Sequence, residues 1–173
     1  IKEWLSVHRD KPYINCEYTH AMGNSCGAMY KYTDLTREEP LFQGGFIWDF
    51  IDQSITKTDR YGREFQAYGG DFDDRPADYS FSGDGICYGK DRDPSPKMQE
   101  VKFNYQSIRI DVEKDKYTVH NDNLFTNTDV YDCEIILERD GEFVDGSLTN
   151  VSVEPLSSDT FEIPFTIPED EGE

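Results

Sequence analysis

Tyr13-Ile14-Asn15-Cys16-Glu17 and, further down the chain, Gln43-Gly44-Gly45-Phe46-Ile47-Trp48-Asp49-Phe50 are the two runs whose reading decides the fold. The first is a short extended stretch that closes on a carboxylate. A Gly- and Ser-bearing segment follows it, then a helix-like pattern over residues 25–37, then a second strand over residues 41–50. That second run is apolar on both faces, as a buried parallel strand is. Strand, loop, helix, strand in this order predicts a βα unit of a parallel sheet or barrel. Chemistry in such folds sits at the carboxyl ends of the strands, where Glu17 and Trp48 fall.

Outward from that unit, the chain changes character. It opens at Ile1 in ordinary globular sequence with no initiator Met, and reads as an internal segment of something longer. Of its net charge of -19, residues up to Ile110 carry -4 and those from Asp111 onward -15. Asp93-Pro94-Ser95-Pro96 precedes the change, and the joint is expected between Pro96 and Ser107. Beyond it, residues 107–112 and 130–138 alternate apolar and polar side chains, with Ile108, Ile110 and Val112, then Cys133, Ile135 and Leu137, on single faces. Asp140-Gly141 predicts a tight hairpin turn at positive φ, residues 143–153 the returning strand, and residues 161–167 a further short one. Short strands with turns between them describe an antiparallel sandwich, here with too few strands to close two sheets and no helix expected from Val130 to Val153.

An aromatic content of 14% with 36% hydrophobic residues suffices for a core, so intrinsic disorder is excluded. The acidity argues against nucleic acid, and no apolar run approaches the length of a membrane span. Cys16, Cys26, Cys87 and Cys133 form no CxxC pair and read as buried free thiols of a reducing compartment, with a cytoplasmic location expected.

Glu17, closing an apolar strand, is the best catalytic candidate on position, against the plainer reading of a surface charge or a helix N-cap neighbour. His20 completes a Glu-x-x-His spacing shared with di-iron bundles, but a second copy is missing. Trp48 could floor a sugar site with its flat apolar face or simply pack in the core. The carboxylates Asp71, Asp73, Asp74 and Asp78 fail the calcium-loop pattern, because Pro76 stands where Gly is needed and no Glu closes the loop. A solvated or salt-bridged loop is expected there.

Taken together, Lys11-Pro12-Tyr13-Ile14-Asn15-Cys16-Glu17-Tyr18-Thr19-His20-Ala21-Met22-Gly23-Asn24-Ser25, the Gln43 to Ser54 run, Tyr68-Gly69-Gly70-Asp71-Phe72-Asp73-Asp74, Phe81-Ser82-Gly83-Asp84-Gly85 and Pro94-Ser95-Pro96 resemble the glycoside hydrolase family 2 β-galactosidases of the large bacterial lactase type. The resemblance implies an α/β plus all-β chain: residues 1–96 as the C-terminal part of a (β/α)8 TIM barrel, and residues 107–173 as the start of an immunoglobulin-like β-sandwich. It implies Glu17 as the nucleophile of a retaining exo-β-galactosidase, with His20, Trp48 and Asp84 at the sugar, and the Phe81 carbonyl and Asp84 as ligands of Na⁺. Asp84 stands where the best-known member has Asn; the Asp keeps an oxygen ligand and adds charge.

The same resemblance places the acid/base Glu and the Mg²⁺ ligands outside this segment, which is therefore expected to be inactive alone. It implies a β-galactoside substrate, the remainder of the parent chain or a partner subunit, and a homo-oligomer. No nucleic-acid or membrane partner is expected. The alternatives are a family 2 enzyme for another sugar, a β-glucuronidase or β-mannosidase, and a non-catalytic sugar-binding or assembly module.

Overall fold

The computed structural model describes residues 1–168. The chain divides into two compact units, Ile1–Tyr105 and Gln106–Glu173.

The first unit runs α1 (Lys2–Val7), β1 (Tyr13–Tyr18), α2 (Tyr30–Glu38), β2 (Phe42–Ile47), a hairpin of β3 (Ile55–Thr58) and β4 (Glu64–Ala67), and α3 (Met98–Asn104). β1 and β2 pair in parallel with Tyr13 opposite Phe42, Asn15 opposite Gly45 and Tyr18 opposite Ile47. Gly45 allows this approach, because a Cβ there would stand 2.6 Å from the Asn15 carbonyl oxygen. Beneath the start of the pair, Leu5, Leu35 and Phe42 form a buried cluster edged by Tyr13, Tyr32 and Leu41. Phe42 is 1% exposed, and burial of such a ring stabilises the unit by about 1.5–3 kcal/mol. A second cluster of Ala21, Cys26, Met29, Ile86 and Val101 packs on Ile47.

β2 ends at Ile47, earlier than the apolar run suggests, and the Trp48–Asp49 peptide is cis. The backbone then ladders onto a third segment. Asp49 N–H donates to Asp84 O (2.8 Å), Ile86 N–H to Asp49 O (2.9 Å) and Cys87 N–H to Phe50 O (2.9 Å), with a parallel bridge between Ile51 and Cys87. α2 likewise starts at Tyr30 and not at Ser25. Cys26 and Ala28 have φ of 71° and 58°, which a helix cannot contain, and the Ser25 hydroxyl is spent on the His20 and Met22 carbonyls, both at 2.7 Å.

The second unit holds β5 (Ile108–Glu113), β6 (Lys116–Asn121), β7 (Cys133–Arg139), β8 (Glu142–Thr149) and β9 (Ser157–Glu162). β5, β6 and β9 make one antiparallel sheet in that order, and β7 and β8 another. Asp140 and Gly141 have φ of 51° and 78°, and Arg139 pairs with Glu142, so the hairpin has the two-residue loop expected of Asp-Gly. Two expectations are corrected. A 3₁₀ turn, Thr128–Val130, includes the first residue of the stretch expected to be free of helix, because the Asn127 side chain accepts from Asp129 N–H and caps it. The last strand covers Ser157–Glu162 and not residues 161–167, because Pro164 has no N–H to extend the ladder that pairs Ser157 to Glu162 with β6. Tyr117, Val119, Val151 and Val153 are the buried core. Beside it, Ile110, Val112, Ile135, Leu137, Ile163 and Phe165 line an open apolar cavity of about 330 Å³.

All four cysteines are free, but Cys16 is exposed and Cys133 only half-buried. Cys16 shares its face of β1 with the exposed Ile14, which corrects the expectation of four buried thiols.

Candidate active site

Two parallel strands bring the candidate residues to one end. Glu17 is the penultimate residue of β1, Trp48 directly follows β2, and the register sets Tyr18 against Ile47 between them. The Asn15 side-chain amide donates to the Glu17 carbonyl at 2.8 Å and fixes the strand end from within. Thr19 then turns the chain at φ 47°. The loop that follows is tied across the site: Ala21 N–H donates to Trp48 O (2.7 Å) and Gly23 N–H to Gly83 O (3.1 Å). His20 rides on this loop, and its ring centroid lies 6.1 Å from that of Phe81.

Trp48 donates its indole N–H to Asp84 Oδ2 at 3.1 Å. Asp84 has no exposed surface, and its second carboxylate oxygen, Oδ1, is buried without a hydrogen-bond partner. The segment that carries Asp84 is held by Asp52, whose Oδ1 accepts from Ser82 Oγ (2.8 Å) and Gly83 N–H (2.9 Å). Gly85 is forced by the same packing. A Cβ there would lie 2.0 Å from Asp52 N and 2.4 Å from Cys87 O.

Beside Glu17, Tyr18 is buried, meets Tyr32 edge-on and shares a hydroxyl–hydroxyl hydrogen bond with Tyr105, the residue that follows α3. Burial, then this bond, pushes the Tyr18 phenol well above the usual tyrosine range. Tyr18 is therefore a neutral anchor. Burial also pushes up the Cys26 thiol. The structure thus gathers His20 with Phe81 and Trp48 with Asp84 on segments that cross at Gly83. Asp52, Lys97, whose ammonium donates to the Gly83 carbonyl at 2.9 Å, and the Tyr18–Tyr105 pair were missed as site residues by the sequence reading. Asp52 lay inside the quoted run, without local sign of what it holds.

In the loop bearing Asp71, Asp73, Asp74 and Asp78, carboxylates close turns: Asp71 Oδ2 accepts from Tyr68 N–H (3.0 Å) and Asp74 Oδ1 from Gly70 N–H (2.8 Å). The bond from Gly70 is the largest cause holding Asp74 below the usual carboxylate range. Among the described residues no group of three or more His, Cys, Asp or Glu side chains is placed to hold a metal ion, and no helix is long and apolar enough to cross a membrane.

Residues 1–110, which contain every element of this site, match the model of the glycosyl hydrolases family 2 TIM barrel domain. The chain belongs to glycosyl hydrolase family 2. Residues 117–173 match domain 4 of β-galactosidase. The chain is 57% identical over 141 residues to a β-galactosidase of Halalkalibacterium halodurans, covering 82% of this chain and 14% of that protein. It is 49% identical over 165 residues to one from Clostridium acetobutylicum, covering 95% and 18%. With the β-galactosidase large subunit of Latilactobacillus sakei it shares 54% identity over 106 residues, covering 61% and 17%. The chain thus spans less than a fifth of the length of these family 2 relatives.

Proposed function

We propose that the chain is part of a retaining exo-β-galactosidase that acts on terminal β-D-galactosides such as lactose, with Glu17 as nucleophile. The observation that carries the reading is the placement of Glu17 and Trp48 at the carboxyl ends of adjacent parallel strands, in residues that match the family 2 barrel. Relatives named β-galactosidase favour galactose over glucuronic acid or mannose.

Retaining hydrolysis needs two carboxyl groups about 5–5.5 Å apart. Glu17 attacks the anomeric carbon, and the aglycone oxygen leaves with a proton from an acid elsewhere in the parent protein. That group then deprotonates a water, which breaks the galactosyl ester and frees the Glu17 carboxylate. The Trp48 indole offers C–H bonds of the sugar a flat apolar face, oriented by its bond to Asp84. His20 and Phe81, ring against ring, wall the same end.

A sodium ion fits this donor set. Asp84 Oδ1, buried and unpartnered, is a hard anionic oxygen of the kind such a cation takes, and with the Phe81 carbonyl it would hold Na⁺ as a fixed positive charge at the sugar. Mg²⁺ has no ligands assigned in this chain. For the second unit, the two antiparallel sheets support an immunoglobulin-like sandwich begun here and completed by further strands.

The decisive experiment is covalent labelling of the full-length protein with a 2-deoxy-2-fluoro galactoside bearing a good leaving group. Fluorine destabilises the oxocarbenium-like transition states and slows hydrolysis of the ester. Mass spectrometry should find the sugar on the peptide containing Cys16-Glu17-Tyr18. A label on a different carboxylate would remove Glu17 from the role.

A further inference from the structure

β1 and β2 do not pair in step. From Tyr13 to Asn15 the first strand advances two residues while its partner advances three, from Phe42 to Gly45; from Asn15 to Tyr18 it advances three while the partner advances two, from Gly45 to Ile47. Two bulges of opposite sense thus flank the Asn15–Gly45 pair and cancel. The first falls on β2, where Gly44 takes φ of 94°. The second falls on β1 and holds Cys16 and Glu17.

That second bulge decides which way Glu17 faces. Tyr13 is half-buried, Ile14 exposed, Asn15 half-buried and Cys16 exposed, as in a regular strand. Unbroken alternation would give Glu17 the face of Tyr13 and Asn15 and would turn Tyr18 out beside Cys16. Instead Glu17 is exposed like Cys16, and Tyr18, 7% exposed, turns inward to Tyr32 and Tyr105. A bulge takes backbone groups out of the ladder. The Asn15 side-chain amide meets one of them, the Glu17 carbonyl, at 2.8 Å. Gly45 leaves the room for it, because a Cβ there would stand 3.0 Å from Asn15 Cβ.

We propose that Asn15 is a positioning residue for Glu17: its amide closes the bulge on the Glu17 carbonyl and thereby aims the carboxylate out of the strand pair, towards the sugar. The proposal rests on the reading of Glu17 as nucleophile.

The rate at which a 2-deoxy-2-fluoro galactoside labels the full-length protein reports this aim directly, because labelling is the attack of the carboxylate on the anomeric carbon. Asn15→Leu keeps the size of the side chain and removes the donor. It should slow labelling at saturating reagent about ten- to hundredfold, with the protein still folded by circular dichroism. The Kd of isopropyl thio-β-galactoside, a reversible ligand, should stay within about twofold. Gly44→Ala strains the opposite bulge, although its methyl meets only Thr36 Cγ2 at 3.9 Å, and should slow labelling as well. Should Asn15→Leu fail to fold, Asn15→Ala removes the same donor without apolar bulk and is read in the same way. A lower Tm with labelling at the wild-type rate would make Asn15 a strand clip only and overturn the proposal. A rise in Kd as large as the fall in rate would mean that the whole pocket had moved, and would overturn it too. Wild-type protein labelled on another carboxylate, or not at all, sinks the galactosidase reading and this proposal with it. Wild-type protein labelled on Glu17, with an unchanged rate in Asn15→Leu, sinks this proposal alone.

Discussion

The indole N–H of Trp48 is 3.1 Å from a carboxylate oxygen of Asp84, a residue with no surface of its own. An aromatic face at the mouth of a parallel pair is thus oriented by a charge hidden behind it. Trp48→Phe keeps the apolar face and removes the donor. It should destabilise the full-length protein by about 1–3 kcal/mol, since a buried acceptor is left without partners. Thermal unfolding measures the loss, and a rise in KM for a nitrophenyl galactoside should accompany it.

Glu17→Gln retains the shape of the side chain but not the charge that bonds to the anomeric carbon. In the full-length protein kcat should fall by roughly a thousandfold or more, with the fold unchanged by circular dichroism. Near-normal turnover would show that Glu17 only positions substrate.

The 173-residue chain by itself should not turn over nitrophenyl galactosides. The resemblance puts the general acid outside this chain, and lack of that group alone would forfeit about 10²–10⁴-fold; the chain also spans less than a fifth of the length of its relatives. Hydrolysis by purified chain, free of host enzyme, would contradict this.

Gly85→Ala should be among the most damaging small substitutions, because the added methyl would meet backbone atoms of Asp52 and Cys87 at 2.0 and 2.4 Å. A cost of about 2–4 kcal/mol is expected. Gly27→Ala is the control. Nothing lies within 4 Å of its added methyl, and its effect should stay within about 0.5 kcal/mol.

Tyr18 gives a pH dependence with a defined sign. Its folded-state pKa is raised, chiefly by burial, so its contribution to stability is fully present below the unfolded tyrosine value of about 10 and is lost as pH rises towards the folded value. Tyr18→Phe should flatten the decline in Tm above that pH. An unchanged slope would place the loss elsewhere.

What could be read from the sequence was what repeats locally. The apolar runs around Cys16 and Ile47 and the Asp140-Gly141 turn carry their conformation in their own side chains, and the structure has β1, β2 and the hairpin at those places. The start of α2 was not readable, because the helix-like pattern from residue 25 carries no sign of the positive φ at Cys26 and Ala28 or of the Ser25 hydroxyl's bonds to the His20 and Met22 carbonyls. β9 was misplaced by apolar residues 161–167, while the paired backbone lies mostly in the polar Ser157–Glu162. Glu17 and Trp48 could be placed from strand ends alone. Asp52 and Lys97 could not, since their bonds to Gly83 span 31 and 14 residues and follow no period.

Gly83 links three loops through one peptide neighbourhood: its N–H to Asp52, and its carbonyl to Gly23 and Lys97. The loop after the first strand, the extension of the second and the Asp84 segment consequently form a single exchangeable cassette. A graft that moved one of them from an enzyme of different sugar preference would carry half of a joint whose other half stayed behind. Recombination between such enzymes should preserve a working pocket only when its crossovers fall outside all three.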